Sequence, residues 1–209
     1  MTLPEDVYPD SLSRLPLVKR EDMDEQGKRF YDSVVGPQSR TLVGLQGPSG
    51  IWLHSPTLGE HQRAANQYLR YETHLDRRLT ELAILVTARE IDSQFEWTAH
   101  EPAALREGLS PTIIDVVKHG KPISGLPETE ALIVRFGREV FREKKVRSQT
   151  FAEALQILGA EGVVNLAALM GNYAMTAVIF SALDQQLRPD QAPLLPISVP
   201  RDQSAEGKA

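Results

Sequence analysis

Residues 79–108 read LTELAILVTAREIDSQFEWTAHEPAALREG, and this stretch decides the fold. Its first part, from Leu79 to Ala88, is apolar nearly all round a helix, which is typical of a buried helix. Its second part opens at Ser93 with the pattern of a helix N-terminus. Only a few residues lie between them, so the sequence predicts two consecutive helices joined by a short turn.

Helical signals continue along the rest of the chain, without a period-2 strand pattern or an Asn-Gly hairpin turn. Ser-Pro pairs, which are typical of an N-cap followed by proline at the first helical position, occur at residues 55–56 and 110–111. Thr150 and Glu153 have the spacing of a capping box. The predicted helices cover residues 22–35, 55–72, 76–91 and 127–144, with others starting at 93, 110 and 150. We therefore predict an all-α fold.

The segment from Gly162 to Leu183 contains no charged residue. Its length suffices to span a bilayer, but Asn165, Asn172 and Tyr173 interrupt it, and we interpret it as a buried central helix. One domain can bury such a helix only by surrounding it or by pairing it with another subunit. The sequence therefore predicts a homo-oligomer.

The length of 209 residues fits a single domain. We expect the domain to occupy residues 21–187, after an N-terminal extension over 1–20 and before an extended or disordered, proline-bearing tail over 188–209. The loop over residues 43–50, rich in glycine and proline, is long enough to form part of a pocket wall.

The composition excludes several classes of function. The net charge of −5 gives no basic surplus for binding nucleic acid or a membrane surface. The absence of cysteine excludes disulfides, thiolate metal sites and thiol redox cycles. No His-Glu-x-x-His or His-x-His pattern indicates a metal site. The acidic first ten residues do not resemble a signal peptide, so a cytoplasmic protein is expected.

The residues SQFEWTAH at 93–100 bring a carboxylate, an indole and an imidazole together. On a helix, Glu96, Trp97 and His100 fall within an arc of roughly 100° that also contains Ser93. The small residues that follow leave space beside His100. This face predicts acid–base chemistry, but Ser93 and Glu96 also match a capping box, and Glu96 with His100 matches a simple intrahelical pair.

A second carboxylate favours the chemical interpretation. Glu81 lies in the apolar helix, and a buried carboxylate is costly unless it has a partner. The next helix offers His100 as that partner. A group of this kind is often functional, through a raised pKa or through a histidine.

The stretch from Leu79 to Gly108 resembles the carboxymuconolactone decarboxylase family, which shares its fold with alkylhydroperoxidase-D-like proteins. The peroxidase branch of that family has a glutamate, a Cys-x-x-Cys twelve residues later, and a histidine four residues after the second cysteine. Glu81 and His100 stand here at the glutamate and histidine positions, while Ser93 and Glu96 replace the cysteines. The segments LHSPTLGEH at 53–61, RLTELAILVTAR at 78–89 and GLSPTIIDVV at 108–117 are also similar to the family. The resemblance covers about residues 25–185.

The resemblance implies an alkylhydroperoxidase-D-like helical bundle and an activity of the decarboxylase branch, without a cofactor. The expected enzyme is a carbon–carbon lyase that acts on a small carboxylated lactone or a related intermediate of aromatic catabolism. Glu81, Glu96 and His100 are the expected catalytic residues, with Glu96 held as an anion by the helix dipole and keeping His100 charged. The resemblance also favours trimers or hexamers.

Four further residues are candidates for binding substrate: Ser93, Trp97, Arg89 and His54. Each also has a structural interpretation, as a helix cap, a core residue, a solvated cation and a loop contact respectively. Two other functions stay open at this point. The same face can turn over an unrelated small molecule, or the chain can be a non-catalytic oligomeric protein. Convergence of Glu81, Glu96 and His100 on a pocket distinguishes an enzyme from the latter.

Overall fold

The computed structural model describes residues 3–197, which form a bundle of α-helices. The helices, numbered in chain order, are α1 (Glu25–Val35), α2 (Pro48–Trp52), α3 (Pro56–Tyr71), α4 (Arg77–Glu90), α5 (Gln94–Arg106), α6 (Pro111–Lys118), α7 (Glu128–Arg138) and α8 (Ser148–Ala182). A π-helical turn, Glu139–Glu143, follows α7. Within residues 3–197 the extended pairing is limited to one isolated bridge, between Tyr8 and Ser13. The predicted all-α class is confirmed.

Five of the seven predicted helix starts lie within one residue of the observed ones, while those at 22 and 150 differ by three and two residues. The carboxylate of Asp76 accepts a hydrogen bond from the backbone N–H of Arg78, and the Ser110 hydroxyl accepts one from Thr112. Proline stands at the first helical position of both α3 and α6. Local capping chemistry therefore marks where these helices begin.

Helix α4 is the centre of the bundle and packs against α5, α6, α7 and α8. Its residues Leu82, Ala83, Ile84 and Leu85 are fully buried, as the apolar pattern predicts. Trp97 of α5 is also fully buried and joins the same core. The helix that carries Glu81 is thus held on several sides, which fixes the position of its carboxylate.

Helix α8 is two helical segments that meet at Gly159, where φ is 68°. Only glycine adopts this left-handed conformation at no steric cost, so the residue makes the break possible. The capping box predicted at Thr150 and Glu153 is wrong. The carboxylate of Glu139 instead accepts hydrogen bonds from the Thr150 hydroxyl and from the Arg147 backbone N–H, each with a donor–acceptor distance of 2.8 Å.

The apolar segment of α8 buries one face in the bundle and leaves the other exposed. Val164 and Val178 are 66% and 68% exposed, and Ala168 and Gly171 lie between them on the same side. The helix is long and apolar enough to cross a membrane by length and composition, a test that core helices of soluble proteins also pass. Within a single chain the predicted burial of this helix therefore holds for one face only.

The segments on either side of the expected domain contact it. The backbone N–H of Arg14 donates to the carbonyl of Leu183 at the end of α8. After residue 187 the described chain is not helical, and Leu195 is only 4% exposed because it packs into the main core. The rest of the predicted tail, residues 198–209, lies outside the described residues.

Candidate active site

Glu81 and His100 meet across the short turn between α4 and α5. The turn is tight because Asp92 adopts a left-handed conformation, with φ of 51°, and the Ser93 backbone N–H donates to the carbonyl of Ala88. Glu81 Oε2 lies 2.7 Å from Nδ1 of His100, and both side chains are buried. The structure thus brings together the carboxylate and the imidazole that the sequence paired.

Glu81 is a stable buried anion. Its Oε1 accepts hydrogen bonds from Arg70 Nη2 at 2.9 Å and from Arg77 Nη2 at 3.2 Å. Burial acts to raise the pKa of Glu81, but His100 and Arg70 outweigh it and lower that pKa to about 2. The carboxylate is therefore ionised across the physiological range and orients His100.

His100 is held as a neutral imidazole with its second nitrogen available. Burial lowers the pKa of His100 below its usual range, against the opposing effect of Glu81. Since Nδ1 donates its proton to the ionised Glu81, the neutral ring has its lone pair on Nε2. The edge-to-face contact with Tyr173, with ring centroids 5.0 Å apart, fixes the ring plane.

Glu96 is a buried carboxyl group beside His100. Its Oε2 lies 3.6 Å from His100 Nε2, and its Oε1 has no hydrogen-bond partner among residues 3–197. Burial raises the pKa of Glu96 to about 8. The expectation that the helix dipole keeps Glu96 anionic, and thereby keeps His100 charged, is wrong because loss of solvation dominates. The capping box is wrong as well, since the Ser93 side chain makes no capping hydrogen bond.

Glu96 and His100 border a cavity of about 130 Å³. The loop before α2 closes one side of it through Thr41, Leu42 and Val43, so a wall from this region agrees with prediction. The other walls come from α1, α2, α3, α5 and α8. They are both aromatic and polar, and include Phe30, Trp52, Gln62, Asn66, Phe95, Tyr173 and Thr176.

Three arginines also line this cavity: Arg40, Arg63 and Arg70. The guanidinium carbons of Arg40 and Arg70 lie 4.6 and 5.0 Å from the ring centroid of Tyr71, which holds both side chains at the cavity. Glu81 does not line the cavity, and its negative charge is matched by Arg70 and Arg77 together. The cavity is therefore locally positive in a chain of net charge −5.

A sequence model of the carboxymuconolactone decarboxylase family matches residues 56–134, which run from the start of α3 into α7. The match includes Glu81, Glu96 and His100. The segment that carries these three residues is thus similar to the carboxymuconolactone decarboxylase family.

The structure is similar to the crystal structure of an alkylhydroperoxidase AhpD core, an uncharacterized peroxidase-related protein from Ralstonia eutropha JMP134. The TM-score is 0.66 at 15% sequence identity, over 85% of this chain and 93% of that chain. At this identity the likeness shows the fold alone, and it confirms the predicted alkylhydroperoxidase-D-like bundle. A comparison with curated proteins finds no match.

The four residues predicted to bind substrate do not line this cavity. Arg89 donates a hydrogen bond to the Pro196 carbonyl at a distance of 2.7 Å and forms a salt bridge with Asp92. Trp97 is fully buried in the main core and donates to Glu101. Ser93 is placed by the turn before α5, and His54 by a loop contact.

Ser93 belongs to the turn before α5, where its backbone groups bond to both neighbouring helices. His54 is exposed, and its ring nitrogen Nε2 lies 2.9 Å from the Pro16 carbonyl. The structural interpretation is supported for Trp97 as a core residue and for His54 as a loop contact. Ser93 does not cap α5 with its side chain, and Arg89 is ion-paired rather than solvated.

Arg70 and Tyr173 are the site residues that the sequence did not reveal. Arg70 follows the apolar Leu69 near the end of a polar helix, and nothing local marks it as buried. Tyr173 and Thr176 gave a usable signal, because they are polar residues three apart on one face of an uncharged helix.

Within residues 3–197 no group of three or more metal-binding side chains occurs.

Proposed function

We propose that this protein is a cofactor-independent lyase that acts on a small carboxylated lactone or a related carbonyl compound by acid–base chemistry. The observation that carries the proposal is the meeting of Glu96 and His100 at one cavity, with the buried Glu81 bonded to the far nitrogen of His100. Their pKa values are driven apart, which is the pattern expected of an acid and a base that share a site.

The arrangement assigns a role to each group. Neutral Glu96 has a proton to give, and His100 has a lone pair on Nε2 to receive one. Glu81 holds the Nδ1–H of His100 and so fixes the tautomer, much as a carboxylate does in other histidine dyads. Such a pair can deliver one proton to carbon, or move a proton from one carbon to another.

In decarboxylation the bond to the leaving carboxylate breaks, and its electron pair moves through the conjugated C=C bond to the carbonyl oxygen. CO2 leaves and an enolate remains. The Glu96 carboxyl gives its proton to carbon, and the enolate electron pair forms the new C–H bond. Glu96 then recovers a proton from water, so one proton is consumed for each CO2 released.

The arginines support a carboxylated substrate. Arg40 and Arg63 lie in the walls, where they attract an anion and orient it toward Glu96. The polar and aromatic side chains beside them suit a small, flat, conjugated ligand. The volume of about 130 Å³ limits the substrate to a small molecule.

The alternative of a non-catalytic helical protein assigns Glu96 to a capping box. That role needs Glu96 to reach back to the backbone N–H of Ser93, but this N–H donates to Ala88 instead. A buried carboxyl group without a capping role is costly, and the cost is understandable at a reaction centre. A thiol peroxidase is excluded because the chain has no cysteine.

We further propose that the protein is a cytoplasmic homo-oligomer, a trimer or hexamer, that does not bind nucleic acid. The exposed apolar face of α8 supports association, because Ala168 and Gly171 allow a second helix to approach closely. Nothing lies within 4 Å of the position of a Cβ at Gly171 in a single chain.

A substrate screen tests the proposed function. The purified protein is mixed with unsaturated carboxylated lactones and with aromatic-acid metabolites, and CO2 release and proton uptake are recorded together. We expect at least one compound to give both signals at equal rates, and a heat-denatured sample to give neither. Failure of every carboxylated lactone and carbonyl compound would contradict the proposal.

A further inference from the structure

Arg70 has hydrogen-bond donors that the protein does not use. It lies at the end of α3, is 7% exposed, and lines the cavity beside Glu96 and His100. Its Nη2 is fixed by Glu81, while its Nε has no partner among residues 3–197. A buried guanidinium with unused N–H groups is unfavourable until an acceptor binds.

Arg77 shares the Glu81 carboxylate with Arg70. It binds the same oxygen of Glu81, is 29% exposed, and lies 3.6 Å from Glu107. Glu81 thus has a second cationic partner, which does not line the cavity. The Arg70 side chain does line it, beside Glu96.

We propose that Arg70 is a catalytic residue that binds the carbonyl oxygen of the substrate and stabilises it as an enolate oxygen. The inference rests on the proposed function, whose reaction sends an electron pair to that oxygen. When the bond to the leaving group breaks, the oxygen gains negative charge next to the guanidinium, and Glu96 protonates the carbon. The salt bridge to Glu81 holds the guanidinium in place throughout, so no reorganisation is needed as the charge develops.

This assignment restricts the substrate class. The carbon that receives the proton must be conjugated with a carbonyl group, directly or through one C=C bond, since the electron pair has to reach the oxygen held by Arg70. A carboxylate without such a carbonyl group would enter the positive cavity but would not react.

The test uses 4-nitrophenol, whose phenolate is a flat conjugated oxyanion with its own absorption band. Wild-type protein should bind the phenolate more tightly than the neutral phenol, which lowers the apparent pKa of the bound dye. Arg70→Gln should weaken phenolate binding by about 10–100-fold, as loss of a charge-assisted hydrogen bond predicts. Arg77→Gln removes a guanidinium from the same oxygen of Glu81 but not from the cavity wall, and should weaken binding by about threefold or less.

If Arg70→Gln does not fold, Arg70→Lys replaces it as the variant whose phenolate binding is measured. Lysine keeps the charge but cannot reach Glu81 and the phenolate with one planar group, so about a tenfold loss is expected. Helical circular dichroism checks the fold of each variant. Equal phenolate binding in wild type and the folded Arg70 variant would overturn the inference, and so would a wild type without phenolate preference. Neither result depends on turnover, so the proposed function is judged separately by the screen.

Discussion

Replacing Glu96 by glutamine should change how the stability of the protein depends on pH. The pKa of this carboxyl group is about 8 in the folded protein and 4.5 in its ordinary state. Between these values the unfolded chain releases the proton while the folded chain keeps it. The raised pKa therefore favours folding fully below about pH 4.5, and this contribution is lost as the pH rises toward 8.

The magnitude follows from the width of that pH window. Each pH unit within it lowers the free energy of unfolding of wild type by about 1.4 kcal/mol relative to a variant that cannot ionise at this position. Between pH 5 and pH 7.5 the variant should therefore gain on the order of 3 kcal/mol over wild type. A buried glutamine amide adds a penalty of its own, but that penalty is the same at both pH values.

Urea unfolding followed by circular dichroism measures this difference. Wild type and Glu96→Gln are unfolded at both pH values and at one protein concentration, because association also contributes to stability. Glu128→Gln, which alters an exposed carboxyl group in the first turn of α7, is the matched control and should follow wild type. A difference between wild type and Glu96→Gln that stays constant within about 0.5 kcal/mol would refute the neutral carboxyl group.

Four other results are expected. Without cysteine, the protein should not reduce alkyl hydroperoxides in a thiol-coupled assay, and turnover above a heat-killed control would contradict this. Light scattering at micromolar concentration should give a mass well above the 23.2 kDa monomer. Gly171→Leu should lower that mass without loss of helicity, and an unchanged mass would argue against association through this face of α8. ¹⁵N NMR near pH 7 should show His100 neutral with its proton on Nδ1, and a doubly protonated ring would overturn that assignment.

Much of the fold could be predicted from local signals. The caps at Asp76 and Ser110 and the apolar run of α4 act within a few residues, so the sequence displays them directly. The capping box at Thr150 failed for the opposite reason. The Thr150 hydroxyl donates to Glu139, a residue of the π-helical turn after α7, and so does not cap α8. This hydrogen bond joins two elements and is seen only in the tertiary structure.

The candidate site likewise has some features that the local sequence predicts and others that only the tertiary structure shows. Glu81 and His100 could be paired from the sequence because one short turn joins their helices. The protonation of Glu96 could not be predicted, since it depends on burial by α3, α8 and the loop before α2. Arg70 was missed because α3 is polar along most of its length, and only its packing against α4 shows that this arginine faces Glu81.

Paired measurements of turnover and melting temperature test most directly whether Glu96 and His100 perform proton transfer. On a substrate from the screen, Glu96→Gln and His100→Ala should each reduce turnover by on the order of 10²-fold while the variants remain folded. His54→Ala, which alters an exposed histidine held by a loop carbonyl, should keep wild-type turnover. Wild-type turnover in a folded Glu96→Gln protein would contradict the account, and residues 93–100 would then be an ordinary helix start.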